Sequence, residues 1–278
     1  WTLRQSTLPV LAEGARPLRV LHISDLHLTP RQRSKQRWVA RLAELEPDLV
    51  VNTGDNLAHE EAVPYVLGGF GRLLDRPGVY VWGANDYYAP KFKNPLRYLK
   101  GPSRSDRRPE HTLPWQDLGR GFKEAGWIDL THTRALLEIK GVRLGFRGTD
   151  DAHIDQDRYA EIAGPIDHDE IDVAIGVTHA PYRRVIDAMA YDNHDLIIAG
   201  HTHGGQVCVP FYGALVTNCD LDTRRAKGLS KHSAGGRTAW LNVSAGVGTS
   251  PYAPIRFACP PEATLLTLTS VGGETSAA

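Results

Sequence analysis

Aspartate, asparagine and histidine recur in five short stretches: Asp25-Leu26-His27, Gly54-Asp55, Gly83-Ala84-Asn85-Asp86, Thr178-His179 and Gly200-His201-Thr202-His203. Their side chains are oxygen and nitrogen donors of hard to borderline character, the set that suits Mn, Fe or Zn. His201 and His203 stand two apart, and in an extended segment such a pair points to opposite faces. Both reach one centre only if the loop wraps around it, or if the centre holds two ions side by side. Gly204-Gly205 follows directly and frees the backbone for a sharp turn. Each stretch also has an ordinary reading. Asp25 and Asp55 suit the caps of following helices, His27 suits a satisfied core position, and Asn85-Asp86 suits a turn.

The elements around them separate the two readings. Residues 19–24, 49–52, 78–82, 171–177 and 196–199 are apolar runs that read as buried strands, and each ends at one of the five stretches. Helices are predicted over 35–45 (Trp38, Val39, Leu42 and Leu45 on one face, Pro47 closing it), 61–74 and 182–190. Strand, polar loop and helix in repeated succession argue an α/β fold with parallel strands, whose ligands gather at the strands' carboxyl ends. So many polar groups at the ends of apolar strands would be costly to bury unless something bound them together. A shared metal site is therefore expected.

The remaining chain fits around this frame. Residues 1–17 alternate weakly and contain Pro9 and Pro17, which predicts an edge strand and a lead-in loop. Residues 91–118 are rich in Pro, Gly and basic side chains and read as a long excursion, with a helix over 116–125. Residues 134–139 and 142–146, joined at Lys140-Gly141, predict a hairpin. Short β segments at 207–209, 239–243 and 263–269 predict a second, more antiparallel sheet. No repeat or low-complexity run divides the chain, so one domain over 1–278 is expected.

Composition narrows the partners. The 278 residues carry 32 basic and 32 acidic side chains, a formal net charge of zero, so no global field points to a nucleic-acid partner. Cys208, Cys219 and Cys259 are too few and too scattered for a disulfide framework. No apolar run approaches the roughly twenty residues of a membrane span. Locally, Lys91, Lys93, Arg97, Lys100, Arg104, Arg107 and Arg108 stand against one acid, Asp106, and Arg31, Arg33, Lys35 and Arg37 follow the first loop. These read either as a solvated surface or as a rim that meets substrate or anionic head groups. Arg183 and Arg184, just after His179, suit a phosphate contact or a helix surface.

The ordered set D-x-H, G-D, G-x-N-D, T-H and G-H-x-H resembles the signature of the calcineurin-like metallophosphoesterases, from Asp25 to His203. The resemblance implies a four-layer α/β/β/α sandwich and a metal-dependent phosphoesterase, with a phosphodiesterase expected. It implies that Asp25, His27, Asp55 and His203 hold one metal, and that Asp55 bridges to a second held by His179, His201 and an asparagine. Two divalent cations (Mn, Fe or Zn) about 3.5–4 Å apart would acidify a bridging water and neutralise the phosphoryl oxygens. Metal-dependent amidohydrolases and metallo-β-lactamase-like enzymes place H-x-H first, whereas this chain places it last.

The third motif departs from the pattern, because Gly83-Ala84-Asn85-Asp86 stands where Gly-Asn-His-Asp would. Aligned without a gap, Ala84 replaces the metal-binding asparagine. Shifted by one, Asn85 remains the ligand and Asp86 falls where the histidine would be; this alignment is preferred here. Asp55, Asn85 and Asp86 are then the expected catalytic residues, with Asp86, His59 or His153 replacing the absent histidine. A degenerate relative that binds metal or membrane with little turnover is the alternative. The tail from Gly200 to Gln206 is similar to a bacterial, membrane-associated branch, and the chain begins at Trp1 rather than Met. Together these predict a preceding N-terminal membrane anchor, against the competing picture of a cytoplasmic enzyme.

Overall fold

A computed structural model describes residues 1–90 and 112–271. The chain begins β1 (Thr2–Leu11), β2 (Leu18–Ile23), α1 (Arg33–Arg41), β3 (Leu49–Asn52), α2 (Val63–Phe70) and β4 (Gly78–Tyr80). A single turn α3 (Ala84–Tyr87), α4 (Trp115–Glu124), β5 (Ile128–Asp129) and the hairpin β6 (Thr133–Ile139) and β7 (Val142–Gly148) come next. Then come β8 (Val173–Val177), α5 (Arg183–Tyr191), β9 (Leu196–Ala199) and a small hairpin, β10 (Cys208–Val209) and β11 (Gly213–Ala214). β12 (Gly228–Ala234), β13 (Arg237–Val243) and β14 (Glu262–Ser270) complete it.

Two mixed six-stranded sheets result, ordered β1-β14-β2-β3-β4-β5 and β12-β13-β9-β8-β7-β6. In the first, β2, β3 and β4 are parallel neighbours; in the second, β7, β8 and β9 are. Alternation along each strand sorts its side chains between layers. Leu21, Ile23 and Val50 face α1, α2 and α4, whereas Val20, Leu49 and Val51 meet Val173, Ile175, Leu196 and Ile198 between the sheets. Ile197 turns to the far side, against Val185, Ile186 and Met189 of α5. The architecture is the expected four-layer α/β/β/α sandwich, and the inter-sheet core aligns the ends of β2, β3, β8 and β9.

Several boundaries differ from the sequence expectation. Of the segments expected in the second sheet, 239–243 joins it within β13, 207–209 pairs in the separate β10–β11 hairpin, and 263–269 does not join it. It is β14 of the first, antiparallel to β2 and parallel to β1. Periodicity marks it as a strand but carries no information about its partner. The first two helices are shorter than the apolar pattern, each ending in a 3-10 turn, Leu42–Leu45 and Gly71–Asp75. Gly68, Gly69 and Gly71 weaken the second one, and Gly71 takes a left-handed φ of 47°. The basic run 91–108 lies outside the described residues. No helix among the described residues is long and apolar enough to cross a membrane.

Candidate metal centre

The loops after β2, β3 and β9 all turn through left-handed backbone at non-glycine residues. Asp25 (φ 53°), His27 (41°), Asp55 (56°), His201 (68°) and His203 (49°) each adopt it. Such conformations cost of order 1–3 kcal/mol apiece and persist only where the surroundings over-determine them. Here the first two loops bond to each other. Asp25, His27 and Leu28 donate their N–H groups to the carbonyls of Gly54, Asp55 and Asn56, each at 2.9 Å. Lys35, expected on a basic rim, is instead buried, and its ammonium donates to the Leu26 carbonyl at 2.7 Å. Glycine is required where these loops crowd: a Cβ on Gly83 would meet the Asp55 carboxylate and the His179 ring.

Asp55 lies at the middle of what these loops bring together. Its Oδ2 is 3.4 Å from His27 Nε2 and 3.5 Å from His179 Nε2. On one side the His27 and His203 rings lie 5.1 Å apart, and on the other His179 and His201 lie 5.2 Å apart. Ligand atoms of Asp25, His27 and His203 fall within 4.8 Å of one another, and so do those of Asp25, Asp55 and His179. His179 Nδ1 donates to the Thr53 carbonyl at 2.6 Å, which leaves Nε2 as the nitrogen aimed inward. His201 Nε2 rests against the Asn218 carbonyl at 3.3 Å, so Nδ1 is the nitrogen left for a cation. Asn85 turns into the centre: its Nδ2 is 2.7 Å from Asp55 Oδ2 and its N–H is 2.8 Å from Oδ1.

Asp25 Oδ1, both ring nitrogens of His27 and His179 Nε2 are buried without hydrogen-bond partners. Polar atoms so orphaned are rare in native structures, and several converging on one point fit a bound cation. Protonation in the metal-free chain agrees. Burial raises the Asp55 carboxyl, but His179, His27 and two bonds from Asn85 outweigh it and hold the group at about 2. Burial lowers His179, yet Asp55, Asp151 and Asp25 hold it up to about 10. The same carboxylates that favour a proton on His179 would favour a cation at its Nε2.

The three groups expected to replace the missing histidine separate cleanly. Asp86 does not face the centre. It is buried, with its oxygens accepting the N–H groups of Asp55 and Asn56 at 2.7 Å each, Leu57 at 3.2 Å and Gly83 at 3.1 Å. That geometry clamps the second loop to the third and corrects the expectation of a catalytic Asp86. His59 is exposed and accepts from the Glu61 N–H. His153 is the one beside the centre, its ring 4.5 Å from that of His201 and its Nδ1 3.1 Å from the Tyr182 hydroxyl.

Other neighbours escaped the sequence reading. Asp151, buried after β7, accepts from the Ala84 N–H at 2.9 Å and the His153 N–H at 2.8 Å, and so fixes both loops. Its signal was available, since Thr149-Asp150-Asp151 is another polar stretch at a strand end. Arg256 donates to the carbonyls of Gly248 at 2.6 Å, Ala245 at 2.7 Å and His203 at 3.3 Å, tying the last loop down. Arg184 is held by Asp157 at 2.6 Å and Asp155 at 3.2 Å, a surface role that leaves it committed to carboxylates rather than to a phosphate.

Fold and centre together define a four-layer α/β/β/α protein with Asp/His groups able to hold metal at its strand ends. The sequence profile of the calcineurin-like phosphoesterases matches residues 18–205, and the chain belongs to that family. The chain is similar to the uncharacterized protein YpbG of Bacillus subtilis (strain 168), at 26% identity over 96% of this chain and 87% of that one. It is 27% identical to an uncharacterized metallophosphoesterase of Aquifex aeolicus (strain VF5), over 98% and 91% of the two chains. A bovine transmembrane protein with a metallophosphoesterase domain is 28% identical over 68% of this chain and 41% of its own length. Membership implies a hydrolase of phosphate esters that uses divalent metal ions.

Proposed function

We propose that the protein is a dinuclear phosphodiesterase in which Asp25, His27, Asp55 and His203 hold one cation, while Asp55, Asn85, His179 and His201 hold the other. The observation that carries this reading is Asp55 Oδ2 lying nearly equidistant from His27 Nε2 and His179 Nε2, at 3.4 and 3.5 Å. Two cations so held would supply a water-derived nucleophile at neutral pH and would neutralise the phosphoryl oxygens. Asp25 and Asp55 contribute the negative charge, and the Thr53 carbonyl keeps His179 in the ligating tautomer. His153, its ring 4.5 Å from that of His201, is the proton donor this reading assigns to the departing alkoxide. Hydrolysis of an aryl phosphodiester with added Mn, alongside metal analysis, tests the reading. Asp55→Ala should lose both ions and abolish turnover; full occupancy in that variant would sink the assignment. A degenerate relative would keep its metals and hydrolyse nothing.

A membrane setting has support from a separate observation. Residues 204–219 contain no charged side chain, and Phe211, Tyr212, Ile255 and Phe257 are exposed on two loops joined by the Cys208 N–H to Phe257 carbonyl bond. Exposed apolar clusters of this kind mark protein or membrane contacts, and Arg256 links this surface to His203. Co-sedimentation with anionic vesicles is expected, weakened by salt through the basic run 91–108 and by Phe211→Ser with Phe257→Ser at any salt. A protein that ignores such vesicles at every ionic strength would remove this setting and leave the hydrolase reading in place.

A further inference from the structure

A line of hydrogen bonds crosses the apolar layer between the sheets and ends on a proposed metal ligand. Asn242 of β13 lies with its Nδ2 2.9 Å from His22 Nδ1, on β2 of the opposite sheet. His22 Nε2 is 2.9 Å from Thr53 Oγ1, which is 2.6 Å from Ser24 Oγ, which is 2.5 Å from Asp25 Oδ2. All five residues are fully buried. Val20, Val51 and Leu266 belong to the apolar core between the same two sheets, where an unpaired polar group is costly.

The direction of the line is fixed from its acidic end. Ser24 Oγ donates to Asp25 Oδ2, which as a cation-holding carboxylate only accepts. Ser24 has one hydroxyl proton, so Thr53 must donate to it, and Thr53 in turn must accept from His22. Burial pushes His22 down to about 3, so the ring is neutral with a single proton, and that proton belongs on Nε2. Nδ1 is then an acceptor and meets the Asn242 amide. Every dipole points at Asp25, and such chains strengthen along their length.

The end point divides the work of the two Asp25 oxygens. Oδ2 receives Ser24 and the His201 N–H at 3.1 Å. Oδ1 has no partner and faces His203 Nε2 at 3.7 Å. Thr53 joins the two halves of the centre, its hydroxyl donating to Ser24, which donates to Asp25, and its carbonyl holding His179.

Resting on the dinuclear reading above, we infer that His22 and Thr53 are positioning residues for the first cation: by directing the chain toward Asp25 Oδ2 they reserve Oδ1 as the ligating atom. Groups that orient a ligand typically contribute 10–100-fold to metal affinity. Thr53→Val, which keeps the shape and the carbonyl, should weaken the first cation by roughly that factor in stepwise binding of Mn. The second should bind as before. Thr53→Ser keeps the hydroxyl, gives up the methyl, and should restore the first affinity; a packing role predicts the reverse order. Nitrogen NMR of the unsubstituted, metal-free chain gives an answer even if the variant fails to fold, and should find the proton of His22 on Nε2. A proton on Nδ1, or wild-type affinity at both positions in Thr53→Val, overturns the inference. Neither measurement uses a phosphate ester, so failure to find hydrolysis would leave both intact.

Discussion

Asn85 Nδ2 lies 2.7 Å from Asp55 Oδ2, the same oxygen that His27 and His179 approach from either side. The asparagine of the altered third motif therefore reaches the centre, although Ala84 stands where the family pattern has its ligand. α3 starts at Ala84, so one residue of offset rotates Asn85 inward and Asp86 beneath the loop. The aspartate then satisfies four backbone donors that would otherwise be stranded.

Asn85→Ala should release one ion selectively. The cation associated with Asp25, His27 and His203 should survive graded chelation, while the other is lost at roughly 10–100-fold lower chelator concentration. Metal analysis across the series decides this, and equal loss of both ions would place Asn85 outside the second position.

His153→Ala should slow hydrolysis of an alkyl phosphodiester by about 10²–10⁴-fold, the usual contribution of a positioned proton donor. An aryl ester, whose leaving group needs no proton, should lose little. Asp86→Asn serves as the contrast: an amide pressed on backbone N–H groups should cost about 1–3 kcal/mol of stability, seen as a lower Tm, with both substrates affected alike. Equal losses on the two esters in His153→Ala would remove it as the donor.

Metal affinity should climb with pH. His179 is raised from 6.5 to about 10 in the metal-free chain, so near neutrality its proton must leave before Nε2 accepts a cation. Affinity for the second ion should tighten roughly tenfold per pH unit from about pH 7 to pH 9. The sign for the metal-free fold is opposite. A group raised on folding stabilises fully below its unfolded value of 6.5 and loses that contribution as pH rises through about 10. Calorimetry in buffers of differing ionisation heat counts the proton, and binding without release would contradict the charged His179.

Much of this was legible along the chain because the strands are short and fully buried. The run 196–199 matches β9, and 49–52 matches β3, since apolar runs bounded by polar loops mark buried strands whatever their neighbours. The segment 263–269 was recognisable as a strand for the same reason, yet its sheet was not, because alternation fixes which way side chains point and leaves pairing open. Asp25, His27, Asp55, His179, His201 and His203 were legible as a set by the recurrence of donor types at strand ends.

Tertiary structure decided what those donors meet. Asp86 and Asn85 are adjacent in sequence and indistinguishable as turn residues, but only the approach of the Asp55 loop assigns one inward and the other to backbone support. Arg256 is a lone cation in an apolar stretch, and nothing nearby in sequence indicates the carbonyls it gathers. His22 reads as an imperfection in an apolar strand until Asn242, 220 residues away, lies against it. Local periodicity reports the environment each residue demands. Which distant group satisfies a buried donor or acceptor is settled only when the two sheets close on one another and water is excluded from between them.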